Sequence, residues 1–475
     1  MPQLLNLPNE LLFQISEYVS ATDRRALFKL VGVNRRLNRV AAPLLVRRWP
    51  WMVDWEDIFI DPFALYLLRH PELRRQVRRL KLLATVGWDD RNRSLRRPKI
   101  GPDELVELST AAAQAWPALD DCINWTEQIR SGYMDAIAAL VLAWAKDLTH
   151  LYMTLLRPER LTIFILASQV ARRLLHARGP QEPQSEPLPL MKLQHVYYGY
   201  RDTVHGVDGQ YAAPFFYLPS MQTFAGYRVW RSLPRQRGEA ADAHLDVEPG
   251  TCLTEFPQGT STIQEIVLEN SCVSAAYLSQ VVRSCRRLRE LSLELIFDYY
   301  PDDDDMTASG LAPSILHHAA SLEVLHISWN DPYGDFMDRD ADGSNALEEC
   351  LRHLTCLEDL SIPSHLLFST HQEQGRHRCR IETSRLPRSI KRLKLEGSPV
   401  EIMWTGEPGL PESLMDVAEG FEVLLRKSGP DGEFPNLSKL ETPLFLPDSL
   451  EGDVVAARLR AAATATGVDI DLASH

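Results

Sequence analysis

The chain has 475 residues, of which 45% are hydrophobic and 24% charged, a composition that excludes a disordered or fibrous protein. Its seven cysteines form no C-x-x-C pair, so a disulfide framework and a zinc knuckle are unsupported and reduced thiols are expected. The net charge of -13 is uneven: residues 1–100 hold 19 Lys/Arg against 10 Asp/Glu, and the rest 32 against 54, so the basic front is suited to steering toward an acidic partner.

No basic segment precedes the first apolar stretch. The longest apolar runs, 136–145 and 161–171, are too short to cross a bilayer and end against Lys146 and Arg172. No membrane association is expected, and an intracellular setting, cytoplasm or nucleus, follows as the expectation.

The first predicted element is LPNELLFQISEYV (7–19). Pro8 has a φ fixed near the helical value and lacks the N–H that a first-turn residue leaves unpaired, which suits it to the first helical position, with Glu10 near the positive end of the dipole. Leu11, Ile15 and Tyr18 or Val19 then form one apolar stripe, with Gln14, Ser16 and Glu17 on other faces. Thr22 or Asp23 is placed to cap a second short helix carrying Leu27, Leu30 and Val31. NRRLNRVAAPLL (34–45) gives a third helix with Leu37, Val40, Ala41 and Leu44 on one face. Three short helices bury little surface by themselves, so part of this apolar surface is expected to wait for a partner.

The order L-P-x-E-L-L-x-x-I, a central leucine segment, G-V-N-R-R-L-N-R-V-A and then a Trp resembles the F-box family over 4–49, most specifically at Leu7-Pro8, Glu10-Leu11-Leu12, Ile15 and 33–40. The central segment is a residue or two longer than the commonest pattern, and Leu37 stands where an aromatic is frequent. The resemblance implies docking onto the small acidic adaptor of cullin-RING (SCF-type) ubiquitin ligases, and through it onto cullin. It also implies that Leu7, Pro8, Leu11, Ile15, Val19, Leu27 and Leu30 divide between the adaptor groove and the local core, a division the sequence leaves open.

Beyond a Trp-rich connector (51–75), hexamers apolar at i, i+3 and i+5 recur: VRRLKL at 77, LTHLYM at 148, LQHVYY at 193, imperfectly MQTFAG at 221, IQEIVL at 263, LRELSL at 288, LEVLHI at 322, LEDLSI at 357, IKRLKL at 390 and, without its last apolar residue, LSKLET at 437. From Ile263 the successive gaps are 25, 34, 35 and 33 residues, near the spacing of leucine-rich repeats. The first apolar residue enters the core on the approach to a short strand, and the next two point inward from the strand while their neighbours face out. The segments 273–285, 310–320 and 346–354 carry helical periodicity between hexamers, so strand plus helix is predicted to stack as a parallel solenoid. This resembles the irregular leucine-rich repeats that often follow an F-box, with the usual strand-end asparagine present only at Asn330. The segment 451–472 is predicted to close the core as a helix and an edge strand.

Pro, Gly and charge mark 179–189, 231–250, 298–306, 330–345 and 369–387 as loops. DRDADGSNALEE matches a calcium-loop template, with Asp338, Asp340, Asp342 and Glu349 as oxygen donors and Gly343 at the turn. Asn345 stands where a hydrophobic residue normally joins paired loops and no second loop is present, so an acidic surface loop is expected and no metal. His371, His377 and Cys379 lack a fourth ligand, and His317-His318 reads as helix surface. No catalytic or phosphate-binding motif is found, no cofactor is implied, and the arginines at 69–97 lack interleaved aromatics, which argues against nucleic acid.

The expected fold class is α/β: an N-terminal three-helix F-box (1–50), a connector (51–75) and a leucine-rich-repeat-like solenoid of short parallel strands and helices (76–475). The function that follows is that of a substrate-recognition subunit of an SCF-type ubiquitin ligase rather than an enzyme. Outward residues such as Glu265, Glu290, Glu323 and Lys394 are the candidate contacts to an unknown target protein. The alternative is an interaction scaffold that binds the adaptor or other proteins without promoting ubiquitination.

Overall fold

The structure, a computed structural model, describes residues 4–50, 59–83, 98–155, 162–176, 187–200, 206–230, 251–296, 308–330, 345–373, 376–397, 414–442 and 450–472. The chain forms two compact units, 1–262 and 263–475, each an α/β arrangement on parallel strands. Among the described residues no helix is long and apolar enough to cross a membrane.

In the first unit, α1 (Asn9–Thr22), α2 (Arg24–Val33) and α3 (Arg35–Val46) are the three expected helices. α1 starts one residue later than expected: Pro8 is its N-cap, in extended backbone, and its carbonyl accepts the Leu12 N–H at 3.1 Å. Asp23 caps α2, accepting from the N–H groups of Arg25 and Ala26 at 2.9 and 3.1 Å. Asn34 caps α3 by accepting from the Leu37 N–H at 2.9 Å. Each cap satisfies donors that the helix itself leaves orphaned. Leu27, Ala41 and Leu44 form a local core, with Val19, Leu30, Val31 and Leu45 packed around it.

The compact units do not break near residue 50 or 75. After α3 the chain enters β1 (Arg48–Trp49), which pairs in parallel with β2 (Arg79–Leu83), and the ring of Trp49 stacks on Phe63 at 5.1 Å. Phe63 belongs to α4 (Ile60–Arg69), a helix with Ile60, Ala64, Leu65 and Leu67 also buried. Part of the expected connector is thus core. Four helices follow before the next strand: α5 (Pro102–Ala115), α6 (Pro117–Ile123), α7 (Trp125–Arg130) and α8 (Met134–Trp144). The apolar run at 136–145 belongs to α8, buried on every side from Ala136 to Trp144, as expected of a helix without a polar face. Then come β3 (His150–Leu155), α9 (Thr162–His176), β4 (His195–Tyr200), β5 (Val207–Asp208), a 3-10 helix (Gly209–Tyr217), β6 (Thr223–Tyr227) and β7 (Val229–Trp230). The strands β1, β2, β3, β4 and β6 pair in that order, all parallel. α4, α8, α9 and the 3-10 helix pack one against the next.

The second unit repeats the scheme with β8 (Glu265–Ser271), α10 (Ala275–Ser284), β9 (Glu290–Ile296), α11 (Ala308–Leu316), β10 (Val324–Asn330), α12 (Asn345–Leu351) and β11 (Asp359–Pro363). The expected loop at 369–387 is largely an antiparallel hairpin, β12 (Phe368–Glu373) with β13 (Arg376–Ile381), and occupies the place a helix takes elsewhere. β14 (Arg392–Glu396), α13 (Leu414–Arg426), β15 (Lys439–Thr442), α14 (Leu450–Thr466) and β16 (Asp469–Leu472) complete the unit. The last helix and strand match the expected closing segment. Strands β8, β9, β10, β11, β14, β15 and β16 run parallel in order.

Each hexamer behaves as its spacing requires. The first and fourth residues are buried in all of them, from Val77 and Leu80 to Leu437 and Leu440, and Thr442 is buried where the last apolar residue is missing. The fourth residues align in register, Leu80 with Leu151, Val196 and Phe224 in one unit, Ile266 with Leu291, Leu325, Leu360, Leu393 and Leu440 in the other. A backbone rail accompanies them: one carbonyl per strand approach accepts two N–H groups from the next. Arg78 O takes Thr149 and His150 at 2.8 and 3.0 Å, and Arg289 O takes Glu323 and Val324 at the same distances. A hydroxyl just before a hexamer supplements the rail. Thr262, Ser321 and Ser389 donate to the carbonyls of Met221, Leu288 and Leu357 at 2.8, 2.8 and 2.7 Å. These hydroxyls satisfy carbonyls at the strand approaches of a chain whose sequence almost lacks the strand-end asparagine.

Candidate functional site

The N-terminal helices leave apolar surface outside. α1 turns Leu12 and Ser16 inward, and the Ser16 hydroxyl donates to the Leu12 carbonyl at 2.7 Å. Ser16 lies off the apolar stripe, as expected, but on the buried face: it is small enough for close helix packing, and its hydroxyl is satisfied inside its own helix. The expected stripe therefore points outward, with Leu11 43%, Ile15 37% and Tyr18 72% exposed. Phe13, Phe28 and Val33 are exposed too. Leu27 lies wholly buried, with Val19 and Leu30 packed partly buried around its cluster, so these three fall on the local-core side of the division the sequence left open. Leu7 is half-buried and Pro8 exposed. The Arg36 guanidinium fixes their backbone, donating to the Leu7 carbonyl at 2.7 Å and to Asn9 Oδ1 at 3.0 Å.

The outward strand face of the second unit is an open groove of about 360 Å³. One in-register row runs Glu265, Glu290, Val324, Asp359, Arg392, Lys439, and the next Val267, Ser292, His326, Ser361, Lys394, Glu441. The first row passes from acidic at Glu265 and Glu290 to basic at Arg392 and Lys439, while the second is neutral until Lys394 and ends on Glu441. The charges on this face are largely paired: Asp359 takes Arg392, with His326 Nε2 at 3.6 Å. Glu396 accepts from Lys394 at 2.8 Å and from the Ser361 hydroxyl at 3.0 Å, and Lys439 meets Glu441 at 2.5 Å. Burial works against the Asp359 charge, but His326, Arg392 and Lys394 outweigh it and hold its carboxyl below the usual range. Glu290 is held above its usual range, first by burial and then by the Glu265 charge. Of the candidate target contacts, Glu265, Glu290 and Lys394 lie on this face. Glu323 sits at a strand approach, where Arg289 grips it with two hydrogen bonds of 3.0 and 2.6 Å.

The outward strand face of the first unit was not singled out from the sequence. Its rows are Arg48, Arg79, His150, His195, Thr223 and Lys81, Tyr152, Tyr197, Ala225. The His150 and His195 rings stack at 4.4 Å, and Tyr152 and Tyr197 approach to 6.1 Å. His150 is pushed down to about 4 by burial and then by Arg79, His195 and Arg48. The signal was present at the third and fifth hexamer positions, where aromatics and cations interleave across strands rather than along the chain.

Among the described residues no group of three or more His, Cys, Asp or Glu is placed to hold a metal ion. Asp338, Asp340 and Asp342 lie outside the described residues, and Glu349 is exposed on α12. His371 and His377 stand opposite Arg378 and Gln372 across the hairpin, and Cys379 opposite Thr370. His318 is buried rather than on a helix surface: its Nδ1 accepts from the Leu288 N–H at 3.4 Å and its Nε2 lies 2.9 Å from the Val282 carbonyl. Burial pushes the Cys285 and Cys350 thiols up to about 12, which makes them inert packing groups. Compared with models of known protein families and with curated proteins, the chain finds no match.

Proposed function

We propose that this chain is a receptor subunit that docks an SCF-type ubiquitin-ligase adaptor through its N-terminal helices and presents a target through the outward strand face of the leucine-rich-repeat-like second unit. The observation that carries the reading is the outward stripe Leu11, Ile15 and Tyr18 on a helix trio that already possesses its own core around Leu27. An apolar stripe left outside a satisfied core marks an interaction surface. Of the residues that the F-box resemblance divides between the adaptor groove and the local core, Leu11, Ile15 and Pro8 stay exposed and Leu7 half-buried. Burying such a residue contributes about 1.5 to 3 kcal/mol before association costs. The row from Glu265 to Lys439 suits a peptide carrying both signs of charge, and a shared scaffold would raise the effective concentration of target lysines near transferred ubiquitin.

A pulldown with the adaptor tests the docking. Leu11→Asp with Ile15→Asp is expected to abolish capture while lowering the melting temperature far less than a core substitution, because both side chains are already partly in water. Leu27→Asp is expected to unfold the trio, costing more than about 3 kcal/mol for an unpaired buried charge. Retained capture by the double variant removes the assignment. Adding cullin and measuring ubiquitin transfer to a trapped partner separates a receptor from a scaffold.

A further inference from the structure

Arg48 and Arg79 stand side by side in register on the first unit's strand face, with His150 and His195 continuing the row. Their chain neighbours Arg47 and Arg78 are paired, with Glu17 at 3.1 Å and Asp147 at 3.6 Å. Arg48 and Arg79 have no carboxylate partner among the described residues. The adjoining row sets Lys81 beside Tyr152 and Tyr197. We infer that this face binds a short acidic peptide laid across the strands, its carboxylates against Arg48 and Arg79 and its apolar or aromatic side chains against Tyr152 and Tyr197. The inference is independent of adaptor docking by the helices.

Several observations favour that occupant. Neighbouring strands lie about 4.8 Å apart, so the row from Arg48 to His195 spans about 14 Å, the reach of about four extended residues at about 3.4 Å each. Two adjacent guanidinium groups match two or three carboxylates, and Arg is the side chain suited to forked pairing with them. The field at the row is already positive. Arg48 is lowered first by burial and then by Arg79 and Arg47, and His150 rejects its proton at ordinary pH. A nucleic acid would demand more. Such interfaces are far more heavily cationic, whereas the first unit holds 32 Lys/Arg against 28 Asp/Glu and the whole chain is -13, which disfavours a dense polyanion at long range.

The test is fluorescence anisotropy on the full chain with a fluorescein-labelled peptide of about eight Glu and Tyr residues, long enough to cross the row. Binding is expected, weakening as salt rises. Arg48→Gln with Arg79→Gln is expected to weaken it about tenfold or more, with an unchanged far-UV circular dichroism spectrum. Should that double variant fail to fold, Arg79→Gln alone carries the same expectation at several-fold loss. Lys394→Gln with Lys439→Gln in the second unit, and Leu11→Asp with Ile15→Asp on α1, are expected to leave peptide binding intact, so a failure here and a failure of adaptor docking are told apart. Equal affinity for the peptide with Gln in place of Glu, unchanged affinity of the Arg48/Arg79 variant, or preference for an oligothymidylate of equal charge would each overturn the inference.

Discussion

The two strand faces share a backbone and differ in what they do with charge. In both units the buried hexamer positions, the parallel register and the carbonyl rail are the same, yet the outward positions follow opposite rules. The second unit, with 19 Lys/Arg against 36 Asp/Glu, places its cations beside carboxylates: Arg392 on Asp359, Lys394 on Glu396, Lys439 on Glu441. The first unit sets Arg48, Arg79 and Lys81 near one another with two histidines in register. Since inward residues fix the fold and outward ones do not touch the core, a repeated scaffold leaves its outer face free to be either self-neutral or poised for an opposite charge. The second face is then expected to contribute to stability, and the first to cost some.

The largest expected effect tests the self-neutral side. Asp359, with its side chain only 14% exposed, is shared by Arg392 and His326. Asp359→Ala removes the carboxylate that serves both Arg392, whose side chain is 61% exposed, and His326, and is expected to cost about 1.5 kcal/mol, read as a lower urea midpoint at unchanged m-value. The same substitution logic applied to Arg79→Ala predicts no loss. A comparable loss at Arg79 would show that the first face is also built for stability and would remove the contrast.

The strands were legible because the hexamer recurs at gaps of 25, 34, 35 and 33 residues from Ile263 onward, and that recurrence, more than any one hexamer, marks a strand entered from its core side. The outward stripe of α1 was half legible. The spacing gives a stripe through Leu11, Ile15 and Tyr18 or Val19, but α1 carries a second one through Leu12, Ser16 and Val19, and a helix with two candidate faces does not announce which one packs. Ser16 decides it, by a size and a self-satisfied hydroxyl that hydrophobicity patterns ignore. The hairpin of β12 and β13 was hidden because polar, charged residues such as Arg376–Ile381 pair through backbone groups that carry no side-chain signature. α13 went unread between two strands, and its buried Glu422 gives it a polar core position, satisfied by Arg458 at 2.8 and 3.0 Å. The burial of His318 leaves no local signal, because its partners, Val282 and Leu288, come from the preceding repeat.

A middle-sized effect sharpens the contrast between the two buried or half-buried histidines. His318 is kept neutral by burial first, and its geometry uses both ring nitrogens at once, one accepting and one facing a carbonyl. Its folded pKa lies below its unfolded value, so its contribution is fully present above about 6.5 and is lost as pH falls through the folded value. His318→Gln is expected to destabilise by about 1 kcal/mol at neutral pH, and the gap to wild type is expected to shrink as the buffer is acidified. Thermal melts across pH check this. Ser389→Ala, which removes the equivalent hydroxyl donor to the Leu357 carbonyl, is expected to cost about 1 kcal/mol with no pH dependence in the same range, since nothing in that bond titrates.

The smallest effect isolates the repulsion on the first face. His150 is pushed down to about 4, with burial the largest cause and Arg79 the next, ahead of His195 and Arg48. Arg79→Gln removes one of these charges without altering the strand, so the His150 pKa, followed by NMR of its ring carbon, is expected to rise partway toward the ordinary histidine value and stop short of it, because burial remains. Relief of the like-charge contact with Arg48 is expected to stabilise the unit by about 0.5 kcal/mol, the size of an exposed charge interaction, and to vanish at high salt. The two readouts bind the argument together. A histidine that does not move would mean that burial alone holds its pKa, and a unit that loses stability would mean that the cations are held there by the fold rather than in spite of it.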